Sequence, residues 1–266
     1  MSCLVCFAKT NHMEWRIGCS GFYYKEWKEI FYAKGLPQKS WFEYYCTRFN
    51  TLEINSTFYN MPSLTSFNNW YDKSPQEFLF TVKAPRLITH YKKFNDTKTL
   101  LTDFYTTIEE GLKDKVGCVL FQLPPSYSYT QERLNTILEQ MDPNFNNVVE
   151  FRHETWWNEN VLKALTDQNI TFSGISYPSH LPDEIIENTP QLLYYRFHGT
   201  PVLYKSQYSL DEITAFANAI EADEKQAYVY FNNTWGDSAL INAQQLQEIT
   251  GTTLKNSAEI GQTHLF

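Results

Sequence analysis

The fold this sequence predicts is a single-domain α/β protein, a closed (β/α)8 barrel of the TIM type with a short N-terminal extension. Three observations carry that prediction. Eight short apolar runs recur along the 266 residues. Amphipathic stretches of helical spacing lie between them. No Gly/Ser linker, charge block or low-complexity tract divides the chain. Strands alternating with helices build parallel sheets, and eight such units in about 250 residues match the usual size of a barrel.

The apolar runs span 15–18, 51–54, 78–82, 116–121, 147–151, 171–175, 192–197 and 227–231. Their starts lie 36, 27, 38, 31, 24, 21 and 35 residues apart, room each time for a helix and two loops. Helices are expected over 41–49, 62–71, 97–112, 130–141, 157–168, 210–222 and 238–249. Ser40 with Glu43, and Ser209 with Glu212, have the spacing of a capping box. Segment 182–188 leaves room for one or two helical turns. An open doubly wound sheet would usually open on a Gly-rich phosphate turn, but the turn after the first run reads Gly18-Cys19-Ser20-Gly21, which is not GxGxxG. Residues 15–250 therefore read as the domain, with 1–14 a dispensable extension and 251–266 a C-terminal segment.

Composition sets limits. Hydrophobic residues make up 42% and aromatics 17% of the chain, a globular balance. No run of about 18 apolar residues occurs, so no membrane span is expected. Lys and Arg number 22 against 30 Asp and Glu, a net charge of −8. That charge argues against holding nucleic acid by bulk attraction, while a local basic pocket stays open. Five scattered cysteines, an odd number, suit a reduced, cytoplasmic protein. Cys3 and Cys6 form a CxxC with no second pair at zinc-finger spacing.

The apolar runs turn polar at their ends. Glu53 and Asn55 follow the second, Lys83 and Arg86 the third, Gln122 the fourth. Glu150, Arg152 and His153 end the fifth, Arg196 and His198 the seventh, Asn232 and Asn233 the eighth. In a barrel these ends share one rim, the face where sites are built. Strand parity places Glu150 with Arg152 and Arg196 with His198, pointing inward, with Phe151 and Phe197 facing the helices. Each residue also has a plain structural role open to it. Glu150 and Arg152 can simply pair, paired Asn often marks a turn, and His90 reads as a solvated loop residue. Trp27 and Trp156 read as hydrophobic plugs under the loops. Rim aromatics such as Phe22, Tyr24, Phe58, Tyr59 and Trp235 would suit the walls of a sugar or nucleoside pocket.

At these motifs the chain resembles the domain-of-unknown-function family 72, the YecE-like proteins. The matching segments are Gly18-Cys19-Ser20-Gly21, Glu53-Ile54-Asn55-Ser56-Thr57-Phe58-Tyr59, Val82-Lys83-Ala84-Pro85 and Phe121-Gln122-Leu123-Pro124-Pro125. Glu150-Phe151-Arg152-His153, Arg196-Phe197-His198-Gly199 and Phe231-Asn232-Asn233 follow in order. The resemblance implies a TIM-like fold and supplies no reaction. The family often has Trp where Phe22 stands, and an acidic residue where this chain has Ser176-Tyr177.

The expected function is an enzyme of hydrolase or isomerase type, acting on an anionic or phosphorylated sugar- or nucleotide-like ligand. Glu53, Glu150, His153 and His198 are the candidate acid–base residues. Lys83, Arg152 and Arg196 would hold the anion, and Gln122, Asn232, Asn233, Asn55 and Tyr59 would orient the ligand. No cofactor is expected. One alternative is a divalent metal on Glu53, Glu150, His153 and His198, as in nuclease- or isomerase-like barrels, though no HxH or HExxH spacing occurs. A second alternative is a non-enzymatic module binding a nucleotide or single-stranded nucleic acid. Neither a membrane partner nor an oligomeric state is indicated.

Overall fold

The strand-forming runs are rich in Val, Ile, Phe and Tyr, side chains that fit a pleated sheet covered on both faces. In the computed structural model, which describes residues 13–61, 63–220, 225–252 and 254, they form nine strands. These are β1 (Glu14–Cys19), β2 (Thr51–Ile54), β3 (Leu79–Lys83), β4 (Val116–Gln122), β5 (Asn147–Glu150), β6 (Thr171–Phe172), β7 (Gly174–Ser176), β8 (Leu192–Phe197) and β9 (Gln226–Phe231). Every pairing is parallel. One sheet has the order β1-β9-β8-β7 and the other β2-β3-β4-β5-β6. The helices are α1 (Trp41–Cys46), α2 (Ser56–Tyr59), α3 (Leu64–Lys73), α4 (Lys98–Leu112), α5 (Gln131–Gln140), α6 (Glu159–Asp167), α7 (Leu210–Ala219) and α8 (Ser238–Thr250).

The sheets meet at two joints. At one, the sixth expected strand is parted into β6 and β7 by Ser173, whose N–H still donates to Val149 O at 2.9 Å. At the other, side chains stand in for most of the ladder between β1 and β2. Asn50 donates to Trp15 O (2.8 Å) and accepts from Ile17 N (3.1 Å). Tyr45 Oη accepts from Cys19 N (2.8 Å) and donates to Thr51 O (3.0 Å). Beyond them Ser20 and Glu53 form a single parallel bridge.

Two buried layers result. The larger lies between strands and helices and includes Phe151 and Phe197, the outward members of the period-two pattern. The smaller is Cys118, Leu120, Val148, Leu192, Tyr194, Tyr228 and Tyr230, from the opposite strand faces. There Tyr230 Oη meets Thr51 Oγ1 (2.6 Å) and Thr81 Oγ1 (2.9 Å), tying one sheet to the other.

Several expectations are corrected. Segment 182–188 is not helical. It is stapled along the strands, where Asp183 accepts from Tyr195 Oη, and Asn188 accepts from Phe172 N and donates to Ile170 O (2.8 Å each). The Ser209–Glu212 capping box forms, but Ser40 caps nothing. A preceding turn, Gln38–Ser40, leaves Ser40 at φ −101°, ψ 1°, away from the extended geometry a cap needs. Glu14 already belongs to β1 and Met13 is buried. Residues 1–12, with Cys3 and Cys6, and most of 251–266 lie outside the described residues. Among the described residues no helix is long and apolar enough to cross a membrane.

At the β1–β2 joint a Cβ on Gly18 would lie 2.3 Å from Thr51 O and 2.9 Å from Tyr45 Oη. Gly18→Ala is expected to destabilise the fold by about 2 kcal/mol or more. An unchanged urea midpoint would show that the strands do not approach so closely.

Candidate functional site

Above the Tyr194–Tyr230 layer the inward positions become charged. Arg196, one step up β8 from Tyr194 on the same face, is fully buried. It donates through Nη2 to Glu53 Oε1 (2.6 Å) and through Nη1 to Glu150 Oε2 (2.7 Å), joining β2 to β5. Tyr194 Oη donates to Glu53 Oε2 at 2.7 Å. Arg152 Nε donates to Glu150 Oε1 at 2.5 Å. Each carboxylate oxygen is therefore taken. Burial pushes the Glu150 carboxyl up, but Arg152, Arg196 and His198 together outweigh it and hold it well below the usual range. Burial pulls Arg196 down, and Glu150 and Glu53 more than restore it.

His198 is buried against this cluster. Its Nε2 lies 2.9 Å from Arg152 Nη2, 3.3 Å from Glu150 Oε2 and 3.4 Å from Arg196 Nη1. Guanidinium nitrogens only donate, so we assign a lone pair to Nε2 and the ring proton to Nδ1; the Asn232 amide 3.0 Å away then turns its oxygen, not its NH2, toward that proton. Burial and the two guanidiniums push its pKa well below 6.5, which keeps the ring neutral.

Lys83 ends β3 and differs from the arginines. Its Nζ donates to Gln122 Oε1 at 2.9 Å and sits 4.4 Å from the Phe58 ring centroid. Among the described residues it makes no ion pair within 4.0 Å. Burial, then the Arg196 charge, push its ammonium down to about 7, against a partial pull from Glu150 and Glu53. The Gln122 amide also reaches His90 Nε2 at 3.5 Å. His90 is half-buried rather than solvated, stands edge-on to Phe58 (5.0 Å), and is held near 4 by burial and by Lys83 and Arg152.

A cavity of about 430 Å³ opens beside the cluster, lined by Phe22, Tyr24, Glu53, Asn55, Tyr59 and Trp70 among others. Asn55 Oδ1 is buried with no hydrogen-bond partner. Ile54 pairs with Val82, so Lys83 comes next in line beside Asn55.

Of the residues singled out in the sequence, Glu53, Glu150, Arg152, Arg196, His198, Lys83, Gln122 and Asn232 are thus brought together. Three are not. His153 turns its Nδ1 to Thr155, accepting from the backbone N–H at 3.3 Å, and caps a local turn. Asn233 is buried among Ser206 O and Asn242 Oδ1, 3.0 Å each. Tyr59 is largely exposed, with the Arg86 guanidinium 5.4 Å from its ring. Trp27 and Trp156 are indeed plugs, donating to Gly236 O (2.8 Å) and Tyr127 O (2.6 Å). Tyr194 and His90 were not expected at the site, whereas Phe58 is one of the rim aromatics the sequence offers as a pocket wall. Tyr194 was legible, since it shares strand parity with Arg196.

The donor set does not suit a metal. Glu53 and Glu150 are occupied by guanidiniums, His153 faces elsewhere, and two cations flank His198. Among the described residues no three His, Cys, Asp or Glu side chains are grouped to hold an ion.

Comparison with known proteins places this geometry among relatives. A family model described as "Protein of unknown function DUF72" matches residues 16–263. The UPF0759 protein YunF of Bacillus subtilis (strain 168) is 23% identical over 254 residues, covering 83% of this chain and 89% of that protein. The UPF0759 protein YecE of Escherichia coli (strain K12) is 30% identical over 153 residues, 53% of this chain and 56% of its own length. The crystal structure of a DUF72 family protein from Thermotoga maritima is similar at TM-score 0.79 and 28% identity, covering 90% of this chain and 99% of that one. One from Enterococcus faecalis shares the fold at TM-score 0.76 and 18% identity, covering 89% and 95%.

Removing Arg196 would leave two buried carboxylates without their shared cation. Arg196→Ala is expected to cost about 3–5 kcal/mol in denaturant unfolding. Adding Glu53→Gln and Glu150→Gln should recover part of that loss. A triple variant no more stable than R196A would show that the clamp is not what those carboxylates need.

Proposed function

The chain belongs to the DUF72 family, and on that premise we propose that it is an acid–base enzyme acting on an anionic ligand at the strand ends of a (β/α)8 barrel. The two joints between the sheets support the barrel. Ser173 carries one strand across both sheets, and the Ser20–Glu53 bridge continues the ladder at the other side. Lys83 and Glu150 end their strands, Glu53 and Arg196 stand one residue before the end, and Arg152 and His198 lie just beyond it, toward the functional face of that architecture.

One observation carries the enzymatic reading. The two carboxylates are saturated by guanidiniums, and among the described residues Lys83 is left as a buried cation whose partners are a neutral amide and the Phe58 ring. Such a group is poised between a proton donor and an acceptor near neutral pH. A phosphate or carboxylate on the ligand supplies the missing counter-charge. Gln122 and Asn232, both half-buried, orient it, and the aromatic cavity beside Asn55 takes its remainder. Hydrolysis and isomerisation both fit these parts. The described cysteines, Cys19, Cys46 and Cys118, are free and buried, which accords with a reducing cytoplasm.

A nucleotide- or strand-binding reading is favoured by one further feature. Arg86 lies 5.4 Å from the rings of both Tyr59 and Tyr91, and both tyrosines are exposed. Flat bases stack on such rings.

Inorganic sulfate keeps its charge across the neutral range, so it tests the anion site. Lys83 is charged below its pKa of about 7 and neutral above it. Sulfate affinity by calorimetry should therefore fall as pH rises through 7. Lys83→Met should weaken it by about tenfold, ~1.4 kcal/mol, at pH 6. Equal affinity in wild type and K83M would remove the proposed site.

A further inference from the structure

We propose that Lys83 is a nucleophile, joining the carbonyl carbon of an anionic aldehyde or ketone as an imine; this rests on the anion reading above and narrows its substrate class.

The cluster gives Lys83 a role the arginines cannot share. Arg152 and Arg196 are each bonded to a carboxylate, and a guanidinium keeps its proton. Lys83 has neither constraint. Among the described residues its one hydrogen-bond acceptor is the Gln122 carbonyl oxygen, so a single N–H is engaged there and no carboxylate ties the nitrogen. The Phe58 ring, 4.4 Å away, gives the amine an apolar flank. Burial first, and the nearby guanidiniums after it, oppose a positive charge here, so the free amine is well populated at neutral pH. Its side chain is buried but not sealed, 8% exposed, at the end of β3.

An amine with a free lone pair attacks electrophiles. Among these, a carbonyl carbon is joined reversibly with no oxidant and no activated leaving group. The nitrogen forms a bond to that carbon, giving a carbinolamine. The carbonyl oxygen then leaves as water, taking both amine protons, and the C=N bond replaces C=O. Nothing is oxidised or reduced. The anionic group of the same molecule is answered by the imine nitrogen, which on taking a proton from solvent restores the charge that the Lys83 ammonium carried.

The test is reductive trapping on the full-length protein. Glyceraldehyde 3-phosphate is added with sodium cyanoborohydride at pH 7, and adducts are located by intact mass and peptide mapping. A saturable single adduct on Lys83, forming at least tenfold faster than on exposed Lys28 or Lys163, is the expected result. Trapping spread over the exposed lysines with Lys83 unmodified would overturn the proposal. K83M should lose the adduct, and if it fails to fold the wild-type map decides alone. Sulfate binding without a Lys83 adduct overturns the imine and leaves the anion site standing. A Lys83 adduct formed equally fast with unphosphorylated glyceraldehyde supports the imine and overturns the anion site. Loss of both results overturns both.

Discussion

A guanidinium shared between two carboxylates holds the centre of this molecule. Arg196 reaches from β8 to Glu53 on β2 and Glu150 on β5, so one side chain links both sheets through charge-assisted bonds. Burying three charges is costly, and it is tolerable here because all four carboxylate oxygens and both Arg196 Nη atoms are hydrogen-bonded, with the Arg196 Nε left unpartnered among the described residues. Tyr194 and Arg152 finish the two carboxylates, and His198 stays neutral beside them. With two anions and two guanidiniums in balance, any further cation in the same space carries the excess. That cation is Lys83; burial lowers its proton affinity first, and the charge of the clamp's Arg196 lowers it further.

The layer beneath explains why this cluster can stay so dry. Tyr194, Tyr228 and Tyr230 fill the space between the sheets with large rings, and Tyr230 spends its hydroxyl on Thr51 and Thr81. A polar atom on each ring is thereby satisfied or shared, as buried tyrosine requires. The charges stand on an apolar floor and meet solvent only past the strand ends. Low polarity below and guanidiniums on either side strengthen every interaction within the cluster.

Much of this was legible in the sequence. Apolar runs bounded by polar residues located the strands to within a residue or two, because burial on both faces forbids polar interruptions. Parity located Glu150, Arg152, Arg196 and His198 on the inner face, because alternation in a strand is geometric. Pairing was not legible. Nothing in the order of residues says that Arg196 takes both glutamates while Lys83 takes none, since that depends on side-chain length across the enclosed space. His153 follows a charged strand end and reads like a site residue, yet the turn after β5 recruits its ring as a cap. Segment 182–188 has room for a helix, but its Asp183 and Asn188 find better partners along the strand edges. Tertiary hydrogen bonds decided both cases over local preference.

The pairing of β1 with β9 has a consequence for how the chain matures. Glu14 stands opposite Gln226, and their side chains bond at 2.7 Å across 212 residues of sequence. During synthesis the first strand emerges with one edge bare and keeps it so until the ninth has been made. Completion of the sheet is consequently a late event, governed by the slow meeting of distant segments, and the nascent protein carries an open strand edge, the kind that chaperones shield, through most of its birth.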